Sequence, residues 1–226
     1  MRLTRLVELS LFHRVQDVLA VKKTGEVAKS ADFLTYKLKY RNVQPQYPVV
    51  VYVNGVPIAD YKLDYNNGIL SFTTARLPED VVKVDYYYCP VMVYDEGKNP
   101  LDEDFSYPAV AVYEDDREDR PYELGNSRKE IRSTWVLEVW TSRGGERNDI
   151  VDVLMEMFDS PLGVIDYNVA FPILEDGTPD PTFDRDAQLV GYAICDSINC
   201  HKAGSLDIGD KPAYLAQIFV ELLVNR

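Results

Sequence analysis

Cysteine, histidine and positive charge are all scarce in this sequence. Three cysteines (Cys89, Cys195, Cys200) and two histidines (His13, His201) stand among 226 residues. An odd and sparse cysteine set argues against a disulfide framework and suits a reducing compartment. Two imidazoles leave little material for His-based catalysis or for a metal cage. Lys and Arg number 24 against 37 Asp and Glu, a net charge of −13, so no phosphate-neutralising surface is expected. No apolar run is long enough to span a bilayer and no signal-peptide pattern opens the chain, so the expectation is a soluble protein made in the cytoplasm, with no membrane partner. What is abundant is apolar material: 46% of the residues are hydrophobic, enough to bury a real core.

Residues 2–20 read as an amphipathic helix, with Leu3, Val7, Leu11, Val15 and Val18 near one face and Gly25 as a plausible stop. A strand-rich stretch follows: 33–40, 49–53, 59–65, 69–72 and 81–94 carry β-branched and aromatic residues with turn residues between them. Asn66-Asn67-Gly68 is the best hairpin turn, because Asn and Gly accept the positive φ such turns need. The polar, Pro-containing stretch 95–108 marks the strongest boundary. Beyond it, 109–116 reads as a short strand and Arg117–Arg120 as a charged stretch. The longest strand is expected at 129–142, with Ile131, Trp135, Leu137 and Val139 on one side and Arg132, Glu138 and Trp140 on the other. A helix is expected at 144–158, strands at 163–171 and 187–195, and a closing strand at 213–224 that could pass for a helix. The layout predicted is α+β: a core domain of residues 1–43 and 96–226, with a mixed or antiparallel sheet flanked by helices, and a small antiparallel β module inserted at 44–95.

A search for chemistry yields little. His13 reads as a helix-surface histidine at the edge of the apolar face. Cys195, Cys200 and His201 offer three soft ligands, but C-x4-C-H fits no common closed zinc site and lacks a fourth ligand nearby. Ser127 and Ser133 have no histidine in sequence context and sit in no nucleophile elbow. The acidic runs 114–120 and 101–105 would supply a carboxylate acid–base pair only if their environments separated two pKa values; such runs are more often solvated faces. Gly144-Gly145 opens a helix without the lysine of a phosphate-binding loop. Tyr86, Tyr87 and Tyr88 must point to both faces of a strand, so they form no single platform for a sugar. No catalytic residue, cofactor or metal is expected, and the chain reads as a non-enzyme.

Two features read as surfaces for partners. Trp140 lies on the polar side of its strand, where it either packs under a covering element or awaits another subunit. The closing strand is apolar on both sides, with Ile218, Val220 and Leu222 on one and Leu215, Phe219 and Leu223 on the other. Such a strand is covered on both faces, by its own helices or by a neighbouring chain. Trp140, Leu215, Phe219 and Leu223 are therefore the candidate interface residues.

The segment order in 108–170 resembles the tail-terminator and tail-completion proteins of long-tailed bacteriophages. "PAVAVYEDD", then "YELGNSRKEIRSTWVLEVWTSRGGERNDIVDVLMEMF", then "GVIDYN" follow that family's strand, ELG-type turn, long strand and "ER-D" helix, with Glu123-Leu124-Gly125 and Glu146-Arg147-Asn148-Asp149 in those places. The 49–72 stretch, "NG…DY…G.L.F", resembles small β modules of phage tail, neck and baseplate proteins. The resemblance implies a structural virion protein. It would form a homo-oligomeric ring, commonly a hexamer, at the head-proximal end of the tail. Its partners would be tail tube or sheath proteins on one side and head-side connector or neck proteins on the other. DNA would pass through an acidic lumen without specific binding. Another neck, connector or baseplate adaptor is the alternative within this class, and an Asp/Glu-dependent hydrolase the alternative outside it.

Overall fold

The computed structural model describes residues 3–94, 105–121, 129–169, 171–174, 180, 182–208 and 211–225. The ELG-type turn at Glu123–Gly125, Ser127 and residues 101–104 of one acidic run lie outside the described residues. The protein is mixed α+β, mostly sheet, with two helices among the described residues, α1 (Leu3–Val18) and α2 (Gly144–Glu156), and a short 3-10 turn at Met157–Asp159. It divides into two compact units, one of residues 1–19, 91–169 and 184–226, the other of residues 20–90 and 170–183.

The second unit is all β. It contains β1 (Val21–Val27), β2 (Lys29–Ser30), β3 (Thr35–Lys37), β4 (Val50–Val53), β5 (Val56–Ile58), β6 (Lys62–Asp64), β7 (Ile69–Ser71) and β8 (Val82–Tyr88). These form two four-stranded antiparallel sheets, ordered β1-β8-β4-β5 and β2-β3-β7-β6. Val51, Val84, Tyr86, Leu63, Leu70 and Phe72 fill one shared core. Both Asn-Gly pairs make turns. Asn54-Gly55 is a two-residue loop closing the Val53–Val56 pair, with φ of 51° and 83° as the mirror-image turn requires. At the other, Asp64 accepts the N–H groups of Asn66 and Asn67, and Gly68 adopts a φ of 65°.

This module begins earlier than the sequence pattern suggests. The boundary expected at 44 falls inside it, because β1 pairs along β8 and β3 pairs with β7. Gly25 does not end the first helix; it forms a bulge in β1 with φ of 62°. The far boundary also moves. Met92–Tyr94 (β9) leaves the module and pairs in parallel with β10 (Ala109–Pro121). Pro90 lies between β8 and β9, and a residue without an N–H is a natural end for a ladder.

The first unit is a six-stranded mixed sheet ordered β12-β13-β14-β11-β10-β9, with β11 at Lys129–Thr141, β12 at Leu162–Ile165, β13 at Leu189–Ile208 and β14 at Lys211–Asn225. Both helices pack on one face. α2 lies on β11 and β14, while α1 reaches β12 at one edge and β9 and β10 at the other. A helix of sixteen residues is about 24 Å long, and six strands span about the same width, so α1 can bridge the sheet. Leu6, Val7, Leu11 and Val15 of α1 and Trp135, Leu137, Ile218, Val220 and Leu222 of the sheet are buried in the layer on this side. Each such aliphatic side chain contributes about 1.5–3 kcal/mol.

Several strands run longer than expected. The charged Arg117–Arg120 continues β10, pairing in register with β11 up to Pro121. A ladder is built by backbone groups, so outward-facing Asp115, Asp116 and Glu118 do not stop it. β13 runs from Leu189 to Ile208 through two register shifts, one at Cys195/Ser197 and one at Lys202/Ser205. The strand expected at 163–171 stops at Ile165.

Candidate functional site

Register fixes what the uncovered face of the six-stranded sheet presents. Opposite partners share a face, so Ile194, Leu223 and Arg132 form one row, and Asn199, Phe219, Val136 and Tyr113 another. Polar rows separate them. Gln217 donates to Glu138 at 2.7 Å and Tyr113 to the same oxygen at 3.0 Å, while Arg132 pairs with Glu221 at 2.8 Å and with Asp196 at 3.4 Å. Burial and the Glu138 carboxylate push the Tyr113 phenol up to about 12.

The two halves of this face differ. On the β10–β11 side it is closed by the protein's own chain. Trp140 is 8% exposed, packed with Ala109 and Ala213 and covered by Met92, Tyr94, Phe105, Tyr107 and Leu215. Phe105 meets the indole edge-on at 6.4 Å between centroids. Of the two expected fates of Trp140, intramolecular cover is the one observed, so this indole offers a partner little surface. On the β12–β14 side the face is open. Tyr192 (57%) and Ile194 (49%) are exposed beside half-buried Leu223, with half-buried Phe219 further along β14, and Val190 (55%) lies at the same end of β13. The closing strand is thus buried by helices on its Ile218, Val220 and Leu222 side only; Leu215, Phe219 and Leu223 face outward, interleaved with Gln217 and Glu221.

Tyr192 also borders a cleft of about 210 Å³, whose lining includes Ser10, Arg14, Asp17, Tyr167 and Arg185. Three of these polar groups are engaged. Ser10 Oγ accepts the Ile165 N–H at 2.8 Å, and Arg185 pairs with Asp17 at 2.7 Å. His13, expected on the helix surface, is instead buried, with its ring 4.4 Å from that of Tyr167. Burial lowers its pKa to about 4 against the pull of Asp17, so the imidazole is neutral at pH 7. Burial likewise raises the Tyr167 phenol to about 12. A neutral imidazole, a neutral phenol and a closed ion pair make a joint between α1 and the segments after α2, rather than an acid–base pair poised near neutrality.

The sequence motifs with chemical promise are spread apart. Cys200 and His201 are consecutive in β13 and point to opposite faces; Cys200 opposes Ile218, and His201 meets the Phe219 ring at 5.6 Å. Ser133 Oγ accepts the Trp135 indole N–H at 2.8 Å. Tyr86, Tyr87 and Tyr88 alternate as their strand demands: Tyr86 is buried, Tyr87 stacks on Tyr47 at 4.4 Å, and Tyr88 stacks on Tyr40 at 4.1 Å. Lysines sit over the rings of these stacks, Lys22 on Tyr87 and Lys23 and Lys39 on Tyr40. Sequence reasoning missed this Lys–Tyr grouping, because it is assembled by strand pairing across about sixty residues rather than by spacing. Neither a family model nor a curated protein matches the chain.

Proposed function

We propose that this chain is a structural virion protein of a tailed phage, a tail terminator that assembles as a ring at the head-proximal end of the tail and joins it to the neck. The observation that carries the reading is the half-open sheet face. Tyr192 and Ile194 are exposed beside half-buried Leu223, with half-buried Phe219 further along β14, next to a half that the chain closes for itself. Exposed apolar side chains grouped beside ion pairs in this way support a contact with another molecule. Covering the exposed parts of four such side chains is worth about 4 kcal/mol per contact before the costs of association. A head-to-tail contact repeated to closure gives a ring.

The order of elements adds support, since β10, β11, α2 and β12 follow the strand, strand, helix and strand order of the terminator resemblance. The charge balance suits the role too: a net −13 lets duplex DNA slide past without sticking to the wall. The ring, a hexamer by the resemblance, would contact tail tube or sheath proteins below and connector or neck proteins above. The test is a phage lacking this protein. Separate filled heads and tails of irregular length are expected. Intact infectious particles with tails of normal length would contradict the reading.

A further inference from the structure

Charge is not spread evenly along this chain. Residues 20–90 hold nine Lys and Arg against seven Asp and Glu, leaving fifteen against thirty for all other residues. The module is thus mildly basic on a strongly acidic protein. Three of its cations border one strand edge, Lys22 on one face of β1 and Lys23 and Lys39 on the other. Lys22, Lys23 and Lys39 flank β1, the open edge of its sheet, with Lys22 and Lys39 exposed. Each ammonium lies 5.1 to 5.9 Å from a tyrosine ring centroid, and none makes an ion pair among the described residues. The nearby Glu26 is occupied otherwise, accepting the Lys39 backbone N–H at 2.6 Å and the Tyr86 hydroxyl at 2.8 Å. On a strongly acidic chain, three lysines that bracket an open strand edge without an ion pair among the described residues give that edge a positive potential suited to an anion.

Strand addition is not what this edge favours. Lysines and the Gly25 bulge, whose N–H is held by Asp85 at 2.6 Å, interrupt the ladder a further strand would need. Recognition is left to charge. The complementary surface occurs on the same chain. α2 turns Asp149, Asp152 and Glu156 outward, and Asp159 of the following turn is exposed as well. The spacing i, i+3, i+7 places the first three on one ridge. None forms an ion pair among the described residues, and Arg147, the helix's lone basic residue, is turned away to donate to the Ala203 carbonyl at 2.6 Å.

We propose that the lysine–tyrosine edge of the module, Lys22, Lys23 and Lys39, docks on the α2 carboxylate ridge, Asp149, Asp152 and Glu156, of a second copy of this chain. The proposal rests on the ring reading and adds to it a second, electrostatic contact between neighbouring copies. It gives the module a role that the sheet face alone does not: a clamp from one subunit to the next.

The test is the mass distribution of the purified full chain across 50 to 500 mM NaCl, measured by sedimentation velocity, for four proteins. Wild type should lose association at least tenfold as salt rises, since screening shortens the reach of exposed charges from over 10 Å to about 4 Å. The Lys22→Glu/Lys23→Glu/Lys39→Glu variant should associate at least tenfold more weakly at low salt. Adding Asp149→Lys/Asp152→Lys/Glu156→Lys to that same chain should restore association. Ile194→Asp/Leu223→Asp tests the sheet face independently. Salt-insensitive association of wild type overturns the docking proposal without any variant having to fold. So does a lysine variant that assembles like wild type, or a charge swap that fails to rescue. In those cases dissociation of the Ile194→Asp/Leu223→Asp protein alone leaves the ring reading standing. A wild type that is monomeric throughout removes both. Capture of a single-stranded oligothymidine by the lysine edge, with self-association unaffected, assigns the edge to nucleic acid and overturns the proposal.

Discussion

Asp17 and Arg185 are paired at 2.7 Å although 168 residues separate them. Asp17 ends the buried face of α1, with its side chain only 5% exposed, while Arg185 is 39% exposed. The pair fastens the first helix to the chain where it re-enters the first unit. Arg185→Met should cost about 2 kcal/mol, because it removes an ionic partner from a carboxylate with almost no access to water. Asp17→Asn should cost less, since the guanidinium left behind reaches solvent. Chemical denaturation of both single variants and the double checks this, with a coupling of about 1 kcal/mol or more expected for residues in direct contact.

His13 sets a pH window. Its pKa falls from 6.5 to about 4 on folding, so between those values the unfolded chain binds a proton that the folded chain does not. Stability is therefore full above about pH 6.5 and declines as pH falls toward 4, by roughly 1.4 kcal/mol per unit at most. Unfolding free energies measured from pH 7 to 4 should show this slope in wild type and lose it in His13→Phe. Equal slopes in both proteins would show that the imidazole is not held neutral by burial.

The two Asn-Gly turns differ in how much room they leave. A Cβ on Gly68 would sit 2.5 Å from the Tyr40 carbonyl oxygen, whereas one on Gly55 would meet nothing within 4 Å. Both glycines have positive φ, so each alanine variant carries a backbone cost of about 1 kcal/mol. Gly68→Ala adds a clash with main chain and should destabilise the module by about 3 kcal/mol, Gly55→Ala by about 1. Thermal melts of the two variants, followed by tyrosine near-ultraviolet dichroism, check the order.

How much of this was legible in the sequence depends on which physical signal each residue carries. Helical periodicity placed α1 and α2 to within two residues, and Asn66-Asn67-Gly68 placed the β6–β7 hairpin of the module. The module's start was not legible. "VKKTGEV" has one glycine and three charges, and it is a strand because β8 pairs with it across sixty residues. Arg117–Arg120 misled in the same way, since composition reads a charged run as loop while a hairpin partner makes it strand. Trp140 was correctly placed on the polar side of β11, yet much of its cover, Phe105 and Tyr107, comes from a stretch that composition marks as a linker. The outward side of β14 was legible, because alternation alone separates Leu215, Phe219 and Leu223 from Ile218, Val220 and Leu222. Which half of that face stays open was not, because the answer depends on which segment folds back over it.

The most direct measurement of the central claim is the mass of the assembled protein. Mass photometry of the purified chain should show one closed oligomer at a fixed multiple of 25.8 kDa, and Ile194→Asp/Leu223→Asp should reduce it to monomer while leaving its circular dichroism unchanged. A wild-type protein that remains at the monomer mass at every concentration, or an oligomer indifferent to those two substitutions, would contradict the account.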